Sequence, residues 1–336
     1  MHLTRPSKAR PSRLETNPKR ARRLEAGPLE PDATAHATAG DGTRVYFETF
    51  TPTSDVARQP AAERTHPVLL VMGLGVSGRL WGPAVRRLLA AGYDVITFDN
   101  RGSGHSEAPW RPWSTRTMAA DAVAVMDEIG VERAHVWGGS LGGMVAQEVA
   151  LNHPGRVSTL ILCSTSGGWP RADLLPRRGL ADLLEGALRT LRSGDDPQDQ
   201  VSSFLCMVES ERFAAECRPG DETWETVVAA LDDAAPAHGY ALQLLAGFRH
   251  STWSRLHQMK TPVQLHHGTA DRIMPVANAR ELARYIRGAR LEVYDGAGHA
   301  LFGSTEDLAK RILAFLSTCE ERERQRTRPS RVRPTA

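Results

Sequence analysis

The sequence predicts an α/β protein: a mostly parallel central sheet flanked by helices, with one helical insertion breaking the strand–helix rhythm. Three observations predict it. The runs Val68–Met72 and Asp94–Phe98 are continuously apolar, as strands buried on both faces of a parallel sheet are. The segments between strands carry apolar residues at three- and four-residue spacing, the mark of amphipathic helices. From about Ser164 to His257 strand texture disappears, and it returns afterwards.

The elements follow in order. A turn at Gly40-Asp41-Gly42 and the strand-like Thr43–Glu48 read as part of an opening hairpin. Val85, Leu88 and Leu89 mark a helix between the first two buried strands. Met118, Ala122, Val125, Met126 and Ile129 mark the next, with Asp121, Asp127 and Glu128 expected on its wet side. His135–Trp137 and Leu160–Cys163 supply two more strands, and repeated strand–helix–strand order implies right-handed crossovers. Trp169-Pro170, Arg192–Pro197 and Arg218–Asp221 punctuate the helical insertion. Strands at Val263–His267 and Leu291–Tyr294 then precede a helix carrying Leu308, Ile312, Leu313, Phe315 and Leu316.

With 336 residues, 41% hydrophobic and 24% charged, the chain can bury a large core, which excludes fibrous and wholly disordered classes. Residues 1–33 carry eight Lys/Arg against four acids and residues 320–336 six Arg against three Glu, so the basicity belongs to the ends and the body is mildly acidic. The expected division is a flexible basic tail at 1–33, a core at 34–163 and 258–318, a helical cap at 164–257, and a flexible Arg-rich tail at 319–336. Four cysteines without Cys-x-x-Cys spacing suggest neither a disulfide framework nor a zinc site, and a reducing cytoplasm is expected. No apolar run reaches 18 residues, so neither a membrane span nor a membrane partner is expected. The expected partner is a small-molecule substrate, without nucleic acid.

The chemistry centres on Gly138-Gly139-Ser140-Leu141-Gly142, a Gly-x-Ser-x-Gly turn between a strand and a helix. Such a turn projects Ser140 Oγ above the carboxyl edge of the sheet, where a helix N-terminus favours developing negative charge. A serine hydroxyl needs a base and a group to orient that base. Asp271, in the loop after the strand ending at His267, and His299, in Gly296-Ala297-Gly298-His299 after the last strand, supply both in the chain order Ser140, Asp271, His299.

These residues resemble the α/β-hydrolase superfamily, and more narrowly its capped small-molecule members such as carboxylesterases, polyketide methylesterases and lactonases. Phe98-Asp99-Asn100-Arg101-Gly102-Ser103-Gly104-His105-Ser106 is similar to a further turn of that family. The resemblance spans roughly residues 36–318 and implies the α/β-hydrolase fold, a lid over residues 164–257, and cleavage of an ester or lactone with no cofactor or metal. It also leaves open carbon–carbon bond hydrolysis, acyl transfer, a cyclase-type reaction, or a ligand-binding protein on the same fold. The oxyanion hole requires two backbone N–H donors, expected from Leu141 and from Leu74 in the loop after Val68–Met72. The family's common His-Gly is Met72-Gly73 here, which makes that wall more apolar.

Trp169, Phe204, Met207 and Phe248 are the expected substrate-binding residues, within a wider apolar set of Phe213, Trp224, Tyr240, Leu244 and Trp253. Gly73-Leu74-Gly75-Val76-Ser77-Gly78 also matches a dinucleotide fingerprint, but Gly82-Pro83 is expected to interrupt the helix that a fingerprint must open. Asp99 and Arg101 read as a structural turn pair, His266 and His267 as structural strand residues, and Glu148 as serving its own helix. His105 is a candidate for the pocket wall.

Overall fold

A computed structural model describes residues 29–53, 66–171, 197–233, 235–302 and 305–327. Eight strands form one sheet: β1 (Ala33–Thr38), β2 (Arg44–Phe50), β3 (Val68–Val71), β4 (Val95–Phe98), β5 (Ala134–Gly139), β6 (Val157–Cys163), β7 (Val263–Gly268) and β8 (Arg290–Tyr294). Their spatial order is β1-β2-β4-β3-β5-β6-β7-β8. The β1–β2 hairpin is antiparallel, β2 joins β4 antiparallel, and all strands from β4 to β8 run parallel. Because β4 lies on one side of β3 and β5 on the other, the chain leaves the carboxyl ends of β3 and β5 in opposite directions, opening a crevice there.

The helices are α1 (Gly82–Ala90), α2 (Thr115–Glu128), α3 (Leu141–Asn152), α4 (Pro197–Val208), α5 (Glu211–Glu216), α6 (Glu222–Asp232), α7 (Ala237–Phe248), α8 (Ala277–Tyr285) and α9 (Thr305–Thr327). Pleating sends Leu69 and Val71 of β3 to a layer with Met118, Met126, Val145 and Leu282. Val68 and Leu70 face the other way, against Val85, Leu88, Ile312 and Leu316. Two covered faces are the reason the β3 and β4 runs are apolar throughout.

Three expectations need correction. Asp121 is buried rather than on a wet face of α2, because the buried guanidinium of Arg101 needs a carboxylate there. Arg101 Nε donates to Asp121 Oδ2 at 2.6 Å and Nη2 to Oδ1 at 2.5 Å, while Nη1 reaches Asp41 at 2.8 Å. Asp99 and Arg101 are therefore both structural but serve different partners, since Asp99 accepts from the Gly78 and His105 amides. The boundary at 318 falls too early: α9 continues to Thr327, and Glu320 is buried against His135 and Tyr93. An Arg-rich helix needs only one inward residue per turn to dock, which composition hides. Finally, Pro83 sits in the first turn of α1, where its missing N–H costs nothing, so it starts a helix instead of interrupting one.

At the other end the sheet begins at Ala33, one residue before the expected core boundary. Residues 1–28 and 328–336, most of the expected tails, lie outside the described residues, as do residues 172–196 of the insertion. The described part of the insertion contains α4–α7 and no strand, apart from an isolated bridge between its flanks at Gly168 and Ser251. Among the described residues no helix is long and apolar enough to cross a membrane.

The Arg101–Asp121 pair yields a stability prediction. Asp121→Ala, which leaves a buried guanidinium with one partner fewer, is expected to lower unfolding free energy by about 3 kcal/mol in urea titrations. A change below about 0.5 kcal/mol would contradict the pair's role.

Candidate active site

Ser140 stands between β5 and α3 with φ 53° and ψ −121°, a left-handed conformation that is strained for a residue with a side chain. Its backbone is fixed on every side. The Ser140 N–H donates to Cys163 O at 2.9 Å, and Ser140 O accepts from the Gly143 N–H at 3.0 Å and from Thr165 Oγ1 at 2.8 Å. The flanking glycines are demanded by space: a Cβ at Gly138 would lie 2.3 Å from Gly142 O, and one at Gly142 would lie 2.1 Å from Val71 O.

Asp271 leaves the end of β7, and its carboxylate collects four N–H groups. Oδ1 accepts from the amides of Ile273 at 2.9 Å and Met274 at 2.8 Å. Oδ2 lies 2.8 Å from His299 Nδ1 and 3.1 Å from His267 Nε2. Burial pushes the Asp271 carboxyl up, but the charge of His299 and the hydrogen bonds from His267 and His299 together outweigh it, holding the group well below the usual carboxylate range. His267 Nε2 also faces Met274 O at 2.6 Å. Both neighbours are acceptors, so Nε2 is the donor, and the buried Nδ1 has no hydrogen-bond partner among the described residues. His267 thus belongs to the site as a second ring on the same carboxylate, beyond the structural role its sequence position suggested.

Ser140 and His299 open onto one cavity of about 1310 Å³. Leu74 and Leu141 line it beside Ser140, and Trp169, Phe204, Met207 and Phe248 line it as well. Of the wider apolar set, Tyr240 and Leu244 also reach the cavity. Phe213 and Trp224 pack instead with Val201 and Leu205 within the insertion, and Trp253 joins the main core. Burial pushes the Tyr240 phenol and the Cys163 thiol each up to about 12, so both stay neutral and Cys163 is no rival nucleophile.

The loop after β3 passes close to the serine: a Cβ on Gly73 would lie 3.4 Å from Ser140 Cβ. Asn100 Nδ2 donates to Met72 O at 2.7 Å, and the Gly75 N–H donates to Gln243 Oε1 at 2.8 Å. Gln243, buried on α7, spends its Nε2 on Arg101 O at 2.9 Å, so a side chain of the insertion fixes the loop that carries Leu74. The glycines read as a dinucleotide fingerprint belong to this loop, and a short turn at Gly78–Trp81 follows them before α1.

Other candidates lie apart. His105 is half exposed near Asp99 and Asp233, away from the large cavity. His266 bonds Tyr294 Oη through Nδ1 at 2.9 Å, and burial pushes its pKa down to about 3. Glu148 pairs with Arg255 at 2.5 Å, joining α3 to the segment that follows α7. Among the described residues no group of three or more His, Cys, Asp or Glu is placed to hold a metal ion. Sequence reasoning missed Gln243 and Glu209 altogether, because no local pattern shows that a polar residue of the insertion points down at the core.

Residues 66–304 match the model of a family described as alpha/beta hydrolase fold. RutD of Azorhizobium caulinodans, named as a candidate carbamate hydrolase, is 31% identical over 255 residues, covering 76% of this chain and 91% of that protein. A pimeloyl-[acyl-carrier protein] methyl ester esterase of Aromatoleum aromaticum is 34% identical over 254 residues, 72% of this chain and 94% of its own. Among solved structures, the enol-lactonase from Burkholderia xenovorans LB400 superposes with a TM-score of 0.68 at 22% identity, over 84% of this chain and all of that one. That last likeness concerns the fold.

The elbow geometry predicts the effect of adding one methyl group. Gly142→Ala must displace the end of β3 or the start of α3, and a melting-temperature drop of several degrees is expected in calorimetry. An unchanged melting temperature would show that the turn has slack.

Proposed function

We propose that this chain, which belongs to the alpha/beta hydrolase fold family, is a serine hydrolase that cleaves an ester or lactone bond of a small, mainly apolar molecule. The observation that carries the reading is the 2.8 Å contact between His299 Nδ1 and Asp271 Oδ2, on the same cavity as the strained Ser140. With Nδ1 donating to the carboxylate, the imidazole presents Nε2 unprotonated, as a general base requires.

Ser140 Oγ attacks the carbonyl carbon while His299 Nε2 takes its proton. The amides of Leu74 and Leu141 receive the negative charge that develops on the carbonyl oxygen, and the N-terminus of α3 adds to this field. Collapse of the tetrahedral adduct expels the alcohol, which takes the proton from His299 and leaves an acyl group on Ser140. A water then gives its proton to His299 and attacks the acyl carbon, and Ser140 recovers a proton as the acid departs. Asp271 orients the ring and balances the imidazolium in each half.

The apolar walls offered by Trp169, Phe204, Met207 and Phe248 favour an apolar acyl or alcohol part. The relative named as a methyl ester esterase supports the ester reading. Four unpaired thiols, Cys163, Cys206, Cys217 and Cys319, fit a reducing compartment such as the cytoplasm.

Ser140→Ala is expected to lower kcat on nitrophenyl esters by about 10⁴-fold or more with the fold intact, and Asp271→Asn by about 10⁴-fold. Wild-type turnover in Ser140→Ala would overturn the assignment. The depressed Asp271 carboxyl also gives a pH signature. Its stabilisation is complete above the unfolded value of about 3.9 and is lost as pH falls through the lower folded value. The stability gap between wild type and Asp271→Asn should therefore be full near neutrality and narrow only in strong acid. A gap that stays constant down to acid unfolding would show that Asp271 is not held ionised.

A further inference from the structure

One cap carboxylate touches the segment that carries His299 and has no part in the steps above. Glu209 follows the last turn of α4 and is 1% exposed. Its Oε2 accepts from the Gly298 N–H at 3.2 Å and its Oε1 from the Phe302 N–H at 2.6 Å. Between them, the Ala300 N–H donates to Val208 O at 2.9 Å. Every second amide from 298 to 302 is thus delivered to two consecutive cap residues.

Two further features fit the segment to this contact. A Cβ on Gly298 would lie 2.4 Å from Glu209 Cα, so only glycine lets the cap backbone come this close. Leu301, between the second and third donors, has φ 59°, a left-handed conformation that a leucine keeps only when its surroundings hold it. From this geometry we propose that Glu209 is a positioning residue for His299: the cap carboxylate clamps the backbone on both sides of the base and fixes the imidazole between Asp271 and Ser140.

The proposal rests on His299 being the base. Glu209 acts through the main chain of residues 298–302 and touches no substrate. Burial pushes its carboxyl above the usual carboxylate value, and the amides of Phe302, Ser210 and Gly298 and the charge of His299 offset that only in part. The charged group that acts on it is His299, whose ring is itself paired with Asp271 at 2.8 Å. Local sequence gives no sign of this role, because the donors lie about 90 residues away in the chain. The cap is then part of the catalytic framework as well as a wall of the cavity.

The test uses the full chain with Glu209→Ala, which removes both acceptors, and Glu209→Gln, which keeps volume and one acceptor oxygen. Each is compared with wild type and His299→Ala in nitrophenyl ester hydrolysis, thermal melting, and hydrogen exchange of the peptide spanning 296–302. Expected are a kcat lowered about ten- to a hundred-fold in Glu209→Ala and less in Glu209→Gln, with KM within about two-fold. Exchange should quicken in that peptide while the central strands stay protected. If Glu209→Ala fails to fold, Glu209→Gln carries the comparison. Wild-type kcat in both variants, or a raised KM with unchanged kcat, would overturn the positioning role while His299→Ala is inactive. Full activity in His299→Ala would instead overturn the reading of the base itself.

Discussion

Ser140 is forced into a left-handed turn between β5 and α3, and the rest of the site is arranged around that constraint. The turn exists only because Gly138 and Gly142 leave room where β5, the start of α3 and the end of β3 converge at distances that exclude any side chain. Holding the serine there costs of order 1–3 kcal/mol of backbone strain. The cost is offset by four hydrogen bonds to its backbone and by α3, which is buried on almost every face. The crevice between β3 and β5 then makes Leu74 and Leu141 neighbours of the same serine.

Electrostatics follows the same plan. The site keeps one buried carboxylate ionised by giving Asp271 two amides and two imidazoles, and it keeps the nearby Cys163 neutral by burial alone. A charge taken out of water is stable only when its lone pairs are all used, and Asp271 meets that condition. The separate Arg101–Asp121 pair applies the same rule, and the Arg101 carbonyl also anchors Gln243, which holds the loop after β3.

Much of this was legible in the sequence, for definite reasons. The buried strands announced themselves because both faces are covered, and the elbow because glycine spacing at 138 and 142 has a steric cause. Chain order and the strand-end loops suggested the pairing of Asp271 with His299, which lie 2.8 Å apart. What stayed hidden depends on contacts between distant segments. Asp121 looked like a solvated acid until Arg101 was found beneath it, and the end of α9 looked like a tail until Glu320 met His135. Gln243 and Glu209 lie in the insertion, and only the folded chain shows that they reach down to the loops of β3 and β8.

The central claim is an activated serine at position 140. Its most direct test is intact-protein mass spectrometry after brief exposure to a fluorophosphonate, with wild type beside Ser140→Ala. The account predicts a single stoichiometric adduct on wild type, mapped to the peptide containing Ser140, and none on the variant. An unlabelled wild type, or equal labelling of both proteins, would contradict it.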